Sequence, residues 1–347
     1  MALVFTESFD HYSGTQAGWK WDTVCGTPTF TAAAGRRGTQ AFAIATQIHL
    51  TKTVCSLSCY VVGFAFKFAG VVDVIDRAIL RFSDGAANHL ELVVSGDGDV
   101  ARFYVRTSGA TVVSSMSYFQ SLRPGQFYYV EMKAEISASI SAGGVEVKID
   151  GLSAMTLPAG TNTRNSGAAQ INSILLGPAG NPFDTITFDD VYIIDTTGNE
   201  LNNFLGDIRI DAVKISSPGT VSNWTPSSAG AAMISMIAST FPDSNLTYMF
   251  ASVASAANRF RFSSMPSANG SIYGFQLLLA VARSNTTSAK SIAGLIFTSG
   301  TSQVGSTTTA PNTSYAYLTM ITSSDASGAS WSSNTLFGTE FGVKIVS

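Results

Sequence analysis

Strict alternation of apolar and polar side chains, cut into short runs by glycine-bearing turns, limits this chain's fold more than any other feature. In Tyr128–Ile136, the residues Tyr128, Val130, Met132, Ala134 and Ile136 share one face, and Tyr129, Glu131, Lys133 and Glu135 share the other. Val145, Val147 and Ile149 alternate in the same way with Glu146, Lys148 and Asp150. A period of two matches a strand with one buried face and does not match a helix. Phe64, Phe66 and Phe68 form an inward aromatic row, and Leu90, Leu92 and Val94 alternate with His89 and Glu91. Between the runs lie the turn signals Ser83-Asp84-Gly85, Gly96-Asp97-Gly98, Arg123-Pro124-Gly125 and Asp150-Gly151. Short strands, frequent turns and no long amphipathic helix predict an all-β chain built of sandwiches.

The later part follows the same rule. Tyr273, Phe275, Leu277, Leu279 and Val281 alternate through one strand, which Asn285-Thr286-Thr287 is expected to turn back toward Ile292–Phe297. Ser314–Ile321 and Phe341–Val346 read as further strands. Ala229–Thr240 fits a short helix and a strand equally well.

Charge is scarce and uneven. Only 12% of the 347 residues are charged, about half the share usual in a globular domain. Residues 206–347 hold just 12 of the 43. That shift places a domain boundary near 205, giving units 1–205 and 206–347, both β-sandwiches and the second the smaller. A net charge of -3 offers phosphate no electrostatic footprint, so no nucleic-acid partner is expected. No apolar run reaches the length of a membrane span. The opening segment has neither a basic region nor a long apolar core, so no secretory signal is read there and synthesis in a cytoplasm is expected. Cys25, Cys55 and Cys59 make no disulfide framework and read as small packed side chains.

An ordered set of motifs carries a resemblance. Ser8-Phe9-Asp10-His11-Tyr12, Lys20-Trp21, Gly35-Arg36-Arg37-Gly38, Val62–Lys67, Phe127–Glu131, Val145–Gly151 and Phe188–Tyr192 follow one another, then Phe204–Ile210, Asn223–Pro226, Ser314–Tyr317, Trp331 and Glu340–Lys344. Together they resemble virion structural proteins of tailed bacteriophages, whose first domain is a laminin-G-like, concanavalin A-like jelly roll. The resemblance implies a jelly roll over 1–205 and a smaller antiparallel β-sandwich for docking or oligomerisation over 206–347. It implies a structural part of the particle, on the capsid or along the tail and baseplate, assembled in the host cytoplasm and touching other virion proteins. The alternative it leaves open is a receptor-binding module that adheres to host surface glycan.

Three candidate sites follow from the residues. Asp189-Asp190 is the best-placed acidic pair, and first and last strands of a jelly roll are neighbours, so Asp10 or Glu7 is expected beside it. Such carboxylates could hold Ca²⁺; the competing and preferred reading is that they cap a turn or bond backbone amides. No other cofactor is expected. Trp19 and Trp21 share strand parity and are candidates for stacking on sugar rings, with core packing as the competing reading. Glu131 and Glu135 alternate with Lys133 on a face read as solvated and salt-laced, no Ser/His/Asp motif is present, and an enzyme is not expected. His11 is read as a structural histidine. Neutral, hydroxyl-rich surfaces cost little to desolvate, so the sparsely charged second part is expected to form a homo-oligomer.

Overall fold

The computed structural model describes residues 3–70, 76–97, 100–107, 112–115, 121–139, 141–157, 161–165, 167–178, 180, 185–239, 241–263, 270–284, 290–309 and 313–346. The Gly98 position of one expected turn and the Asn285-Thr286-Thr287 turn lie outside them. Two compact units are present, Met1–Ile210 and Asp211–Ser347. Both are built of antiparallel sheets, so the chain is all-β.

In the first unit the strands are β1 Leu3–Glu7, β2 Thr23–Cys25, β3 Thr29–Thr31, β4 Ala41–Ile44, β5 His49–Leu57, β6 Cys59–Phe68, β7 Arg77–Ser83, β8 Asn88–Asp97, β9 Val100–Thr107, β10 Val112–Ser115, β11 Tyr128–Glu135, β12 Gly144–Ile149, β13 Leu152–Thr156, β14 Ile171–Leu176 and β15 Ile186–Ile194. An eight-stranded sheet runs β13-β12-β11-β6-β15-β4-β3, with β1 also on β15. A seven-stranded sheet runs β10-β9-β8-β7-β14-β5-β2. The alternating apolar residues fill the space between these sheets. Phe64, Phe66 and Phe68 are fully buried, as are Leu90, Leu92 and Val94. Phe66 meets Phe103 of the facing sheet edge-on, with centroids 5.2 Å apart. This is a β-sandwich jelly roll.

The second unit contains β16 Ile215–Ser222, β17 Thr225–Pro226, α1 Met233–Ile237, β18 Met249–Phe250, β19 Ala257–Phe262, β20 Phe275–Val281, β21 Ser291–Thr298, β22 Thr301–Val304, β23 Thr308–Thr309, β24 Ala316–Thr322, α2 Ser333–Gly338 and β25 Glu340–Ile345. Its main sheet is β16-β19-β25-β21-β22, with β23 on β21. The β20-β24 ribbon packs on it through Leu277, Ile296, Met320, Trp331 and Phe341. The expected pairing of β20 with Ile292–Phe297 is corrected. β20 pairs with β24 along its length, and β21 lies between β25 and β22. The ambiguous Ala229–Thr240 stretch contains α1.

Candidate functional site

The three acidic residues singled out in the sequence do converge. β15 exchanges partners along its length: Ile186–Phe188 pair with β4, and Val191–Ile194 pair with β1. Asp189 and Asp190 sit at the exchange, where the register against β6 also slips. Asp190 adopts φ 49°, a left-handed conformation that Asp tolerates better than most residues. Glu7 lies directly opposite Val191, which brings Asp10 to the same spot.

Backbone amides occupy these carboxylates. Asp189 Oδ2 accepts from Arg36 N at 2.8 Å and Oδ1 from Asp190 N at 2.9 Å. Asp190 Oδ1 accepts from Ile210 N at 2.8 Å, and Asp10 Oδ1 from Gln40 N at 2.8 Å. Arg36 reaches across the cluster to Asp207 and to the Ile208 carbonyl, 3.2 Å away. Among the described residues, no group of three or more His, Cys, Asp and Glu is arranged to hold a metal ion.

Burial pushes Asp10 and Asp189 up to about 6 and Asp190, with Asp189 beside it, up to about 7. A carboxyl that holds its proton more tightly folded than unfolded adds stability below its ordinary value of 3.8. That stability is lost as pH rises through the folded value. Asp190→Asn keeps the acceptor for Ile210 N and removes the buried charge. Its melting temperature is expected to exceed the parent's at pH 8, with the gap narrowing by pH 5 and closing only below the ordinary value of 3.8. A gap of equal size at both pH values would show that the buried charge is not responsible.

The two tryptophans require a correction. Trp19 and Trp21 do not share a strand; Gly14–Trp19 is a short 3-10 helix. Trp21 is 1% exposed and its Nε1 donates to Glu7 Oε2 and to the Tyr12 hydroxyl, at 3.2 and 3.1 Å. It cannot stack on a sugar. Trp19 is half-buried. The local signal was Ser13-x-x-Gln16, a helix-start pattern, and Ser13 N does donate to Gln16 Oε1 at 2.9 Å. His11 lies in the same corner, its Nε2 3.4 Å from Lys20 Nζ, and burial together with that cation holds its pKa well below 6.5.

The solvated face expected for Glu131 is also corrected. Glu131 is fully buried. It accepts from the Tyr192 hydroxyl, from Leu205 N at 3.0 Å and from Gly206 N at 2.9 Å. Glu131, Gly63 and Tyr192 stand side by side on three neighbouring strands. A Cβ on Gly63 would collide with the Tyr192 ring, so glycine there lets the tyrosine reach Glu131. The segment that runs on to Ile210 thereby covers this face of the sheet.

The second unit carries the apolar surface. Apart from Val112 and Leu152, every exposed large hydrophobic side chain described belongs to it. Phe241, Leu246, Tyr248, Phe250 and Val253 follow closely in the chain, with Leu246 81% exposed. In α1, Met-Ile-Ser-Met-Ile, the four apolar side chains are half-buried. Between Trp224 and Val253, Asp243 is the one charged residue.

No family model matches the chain, and no curated protein matches it. Solved structures do. An alginate lyase mutant in complex with an alginate trisaccharide aligns with a TM-score of 0.41 at 11% identity, over 55% of this chain and 97% of that one. An endo-β-1,4-glucuronan lyase from the fungus Trichoderma reesei gives 0.41 at 14%, over 55% and 95%. Domain 4 of an extracellular arabinanase from Geobacillus stearothermophilus, in complex with arabinotriose, gives 0.37 at 16%, over 56% and 92%. At these identities the likeness is one of fold. The expectation that the chain is no enzyme does not stand beside these matches, two of which are polysaccharide lyases, and they assign this chain no activity of their own.

Proposed function

We propose that the protein is a structural component of a tailed-phage particle, surface-exposed on the capsid or the tail and baseplate, whose second unit joins it to further copies of itself and to other virion proteins. The exposed apolar run of the second unit carries this reading. A two-fold contact sets a patch against its own copy, residue i against residue j and j against i, so a patch charged with one sign would repel itself. The stretch from Trp224 to Val253 holds a single carboxylate, and its exposed rings and aliphatic chains suit an interface core, where charge is depleted. Adhesion of the first unit to host glycan is the alternative role.

Sedimentation of the full chain tests the assembly. The parent is expected to form a defined oligomer, and Leu246→Ser with Phe250→Ser is expected to leave a folded monomer. A parent that stays monomeric at its highest soluble concentration overturns the reading, as does an intact particle in whose image reconstruction this protein is absent.

A further inference from the structure

We infer that the outward face of the seven-stranded sheet binds an anionic polysaccharide. The geometry starts from register. Arg106 of β9 lies opposite Glu91 of β8, Glu91 opposite Arg81 of β7, Arg81 opposite Leu175 of β14, and Leu175 opposite Thr51 of β5. Leu80, Phe82, Leu90, Leu92 and Val105 point into the sandwich, so by alternation this row stands on the opposite face. It crosses five strands, which at sheet spacing is roughly 19 Å. That is the reach of several sugar residues in a line.

The chemistry of the row is unfinished. Arg81 is 6% exposed, and its Nη2 donates to the Gly177 carbonyl at 3.2 Å. Its Nε is buried without a hydrogen-bond partner, and so is His49 Nδ1. The two residues are neighbours through Gly177, where an added Cβ would stand 3.0 Å from His49 Cα. Buried polar atoms are nearly always paired, and an exception needs an explanation, of which a bound ligand is one. Glu91 neutralises one guanidinium, with Arg106 Nε 2.8 Å from its Oε2. The row itself carries two guanidiniums and this one carboxylate, with Asp76 acting on Arg106 as well. A cation with a spare donor, a polar imidazole and a line of aliphatic and hydroxyl side chains suit a chain of sugars bearing carboxylate or sulfate.

The sequence signal was faint. Arg81 follows the same alternation that marks Leu80 and Phe82 as core, and its burial came only with the fold.

The inference rests on the glycan-facing side of the proposed function and not on the particle or the oligomer. Affinity electrophoresis of the full chain, through gels carrying polygalacturonate, dextran sulfate or neutral dextran, tests it. Retardation is expected in at least one anionic gel and not in dextran, and the stronger of the two names carboxylate or sulfate. Arg81→Gln is expected to weaken retention at least tenfold. His49→Ala, read alongside it with melting temperature, is expected to do the same in a variant that stays folded. Free phosphate at equal charge is expected not to compete. Migration unchanged in both anionic gels overturns the inference, as do equal retention by neutral dextran and folded variants that bind like the parent. Oligomer size, measured on the same samples, keeps that failure separate from a failure of assembly.

Discussion

Glu7→Ala is expected to cost the first unit about 3–5 kcal/mol and to lower its melting transition by roughly 10 °C. Glu7 is fully buried and is the hub of a closed network. Its Oε1 accepts from Phe9 N at 2.7 Å and lies 3.2 Å from Lys20 Nζ; its Oε2 accepts from the Tyr12 hydroxyl at 2.5 Å and from Trp21 Nε1 at 3.2 Å. Burial pulls Lys20 down to about 8, with Glu7 opposing that shift. Without Glu7, the buried ammonium is left without a carboxylate, between the His11 imidazole at 3.4 Å and the Phe5 ring, 5.2 Å from its centroid. An uncompensated buried charge is far more destabilising than the intact pair is stabilising. Glu7→Gln retains an acceptor oxygen and is expected to fall between parent and alanine. Calorimetry of the full chain checks this. A transition within about two degrees of the parent would mean that water already reaches the corner, since a solvated pair contributes roughly 0–1 kcal/mol.

Glu131→Ala is expected to release the segment that leads to Ile210. One carboxylate oxygen serves three donors there, the Tyr192 hydroxyl and the amides of Leu205 and Gly206. Each buried donor left without an acceptor costs about 1–3 kcal/mol, so a total loss of about 2–4 kcal/mol is expected once water has satisfied some of them. The loss is local. Hydrogen exchange at Leu205 and Gly206 is expected to rise sharply, and proteases are expected to cut between residues 197 and 210, while the β6 and β11 amides stay protected. Arg36, which bonds the Ile208 carbonyl and Asp207 from another side, remains as a second attachment. Unchanged exchange at Leu205 and Gly206 would show that Arg36 and Asp190 hold the segment unaided.

Both residues show where sequence reading stops. Tyr128, Val130 and Met132 were legible as core from alternation, and Val130 and Met132 are fully buried. Glu131 was legible only as belonging to the other face. Alternation reports that a side chain points away from the core; it does not report what crosses over it. The convergence of Asp10 with Asp189 and Asp190 was legible, because terminal strands of a jelly roll pair, and β1 does pair with β15. Trp21 was misread because strand parity was applied across the end of a short helix, Gly14–Trp19, that holds Trp19 and stops before Trp21. Arg81 and His49 carried no motif: their shared feature is two nitrogens without partners on strands that β14 separates.

The sequence by itself determined the strands, the inward rows, most turns and the uneven charge. These are properties of residues close together in the chain, where a two-residue period and a glycine in a left-handed turn leave few alternatives. The tertiary structure alone decided which polar side chains were taken out of water. Burial of Glu7, Glu131 and Asp190 depends on segments distant in the chain arriving over them, and local pattern carries no record of that arrival.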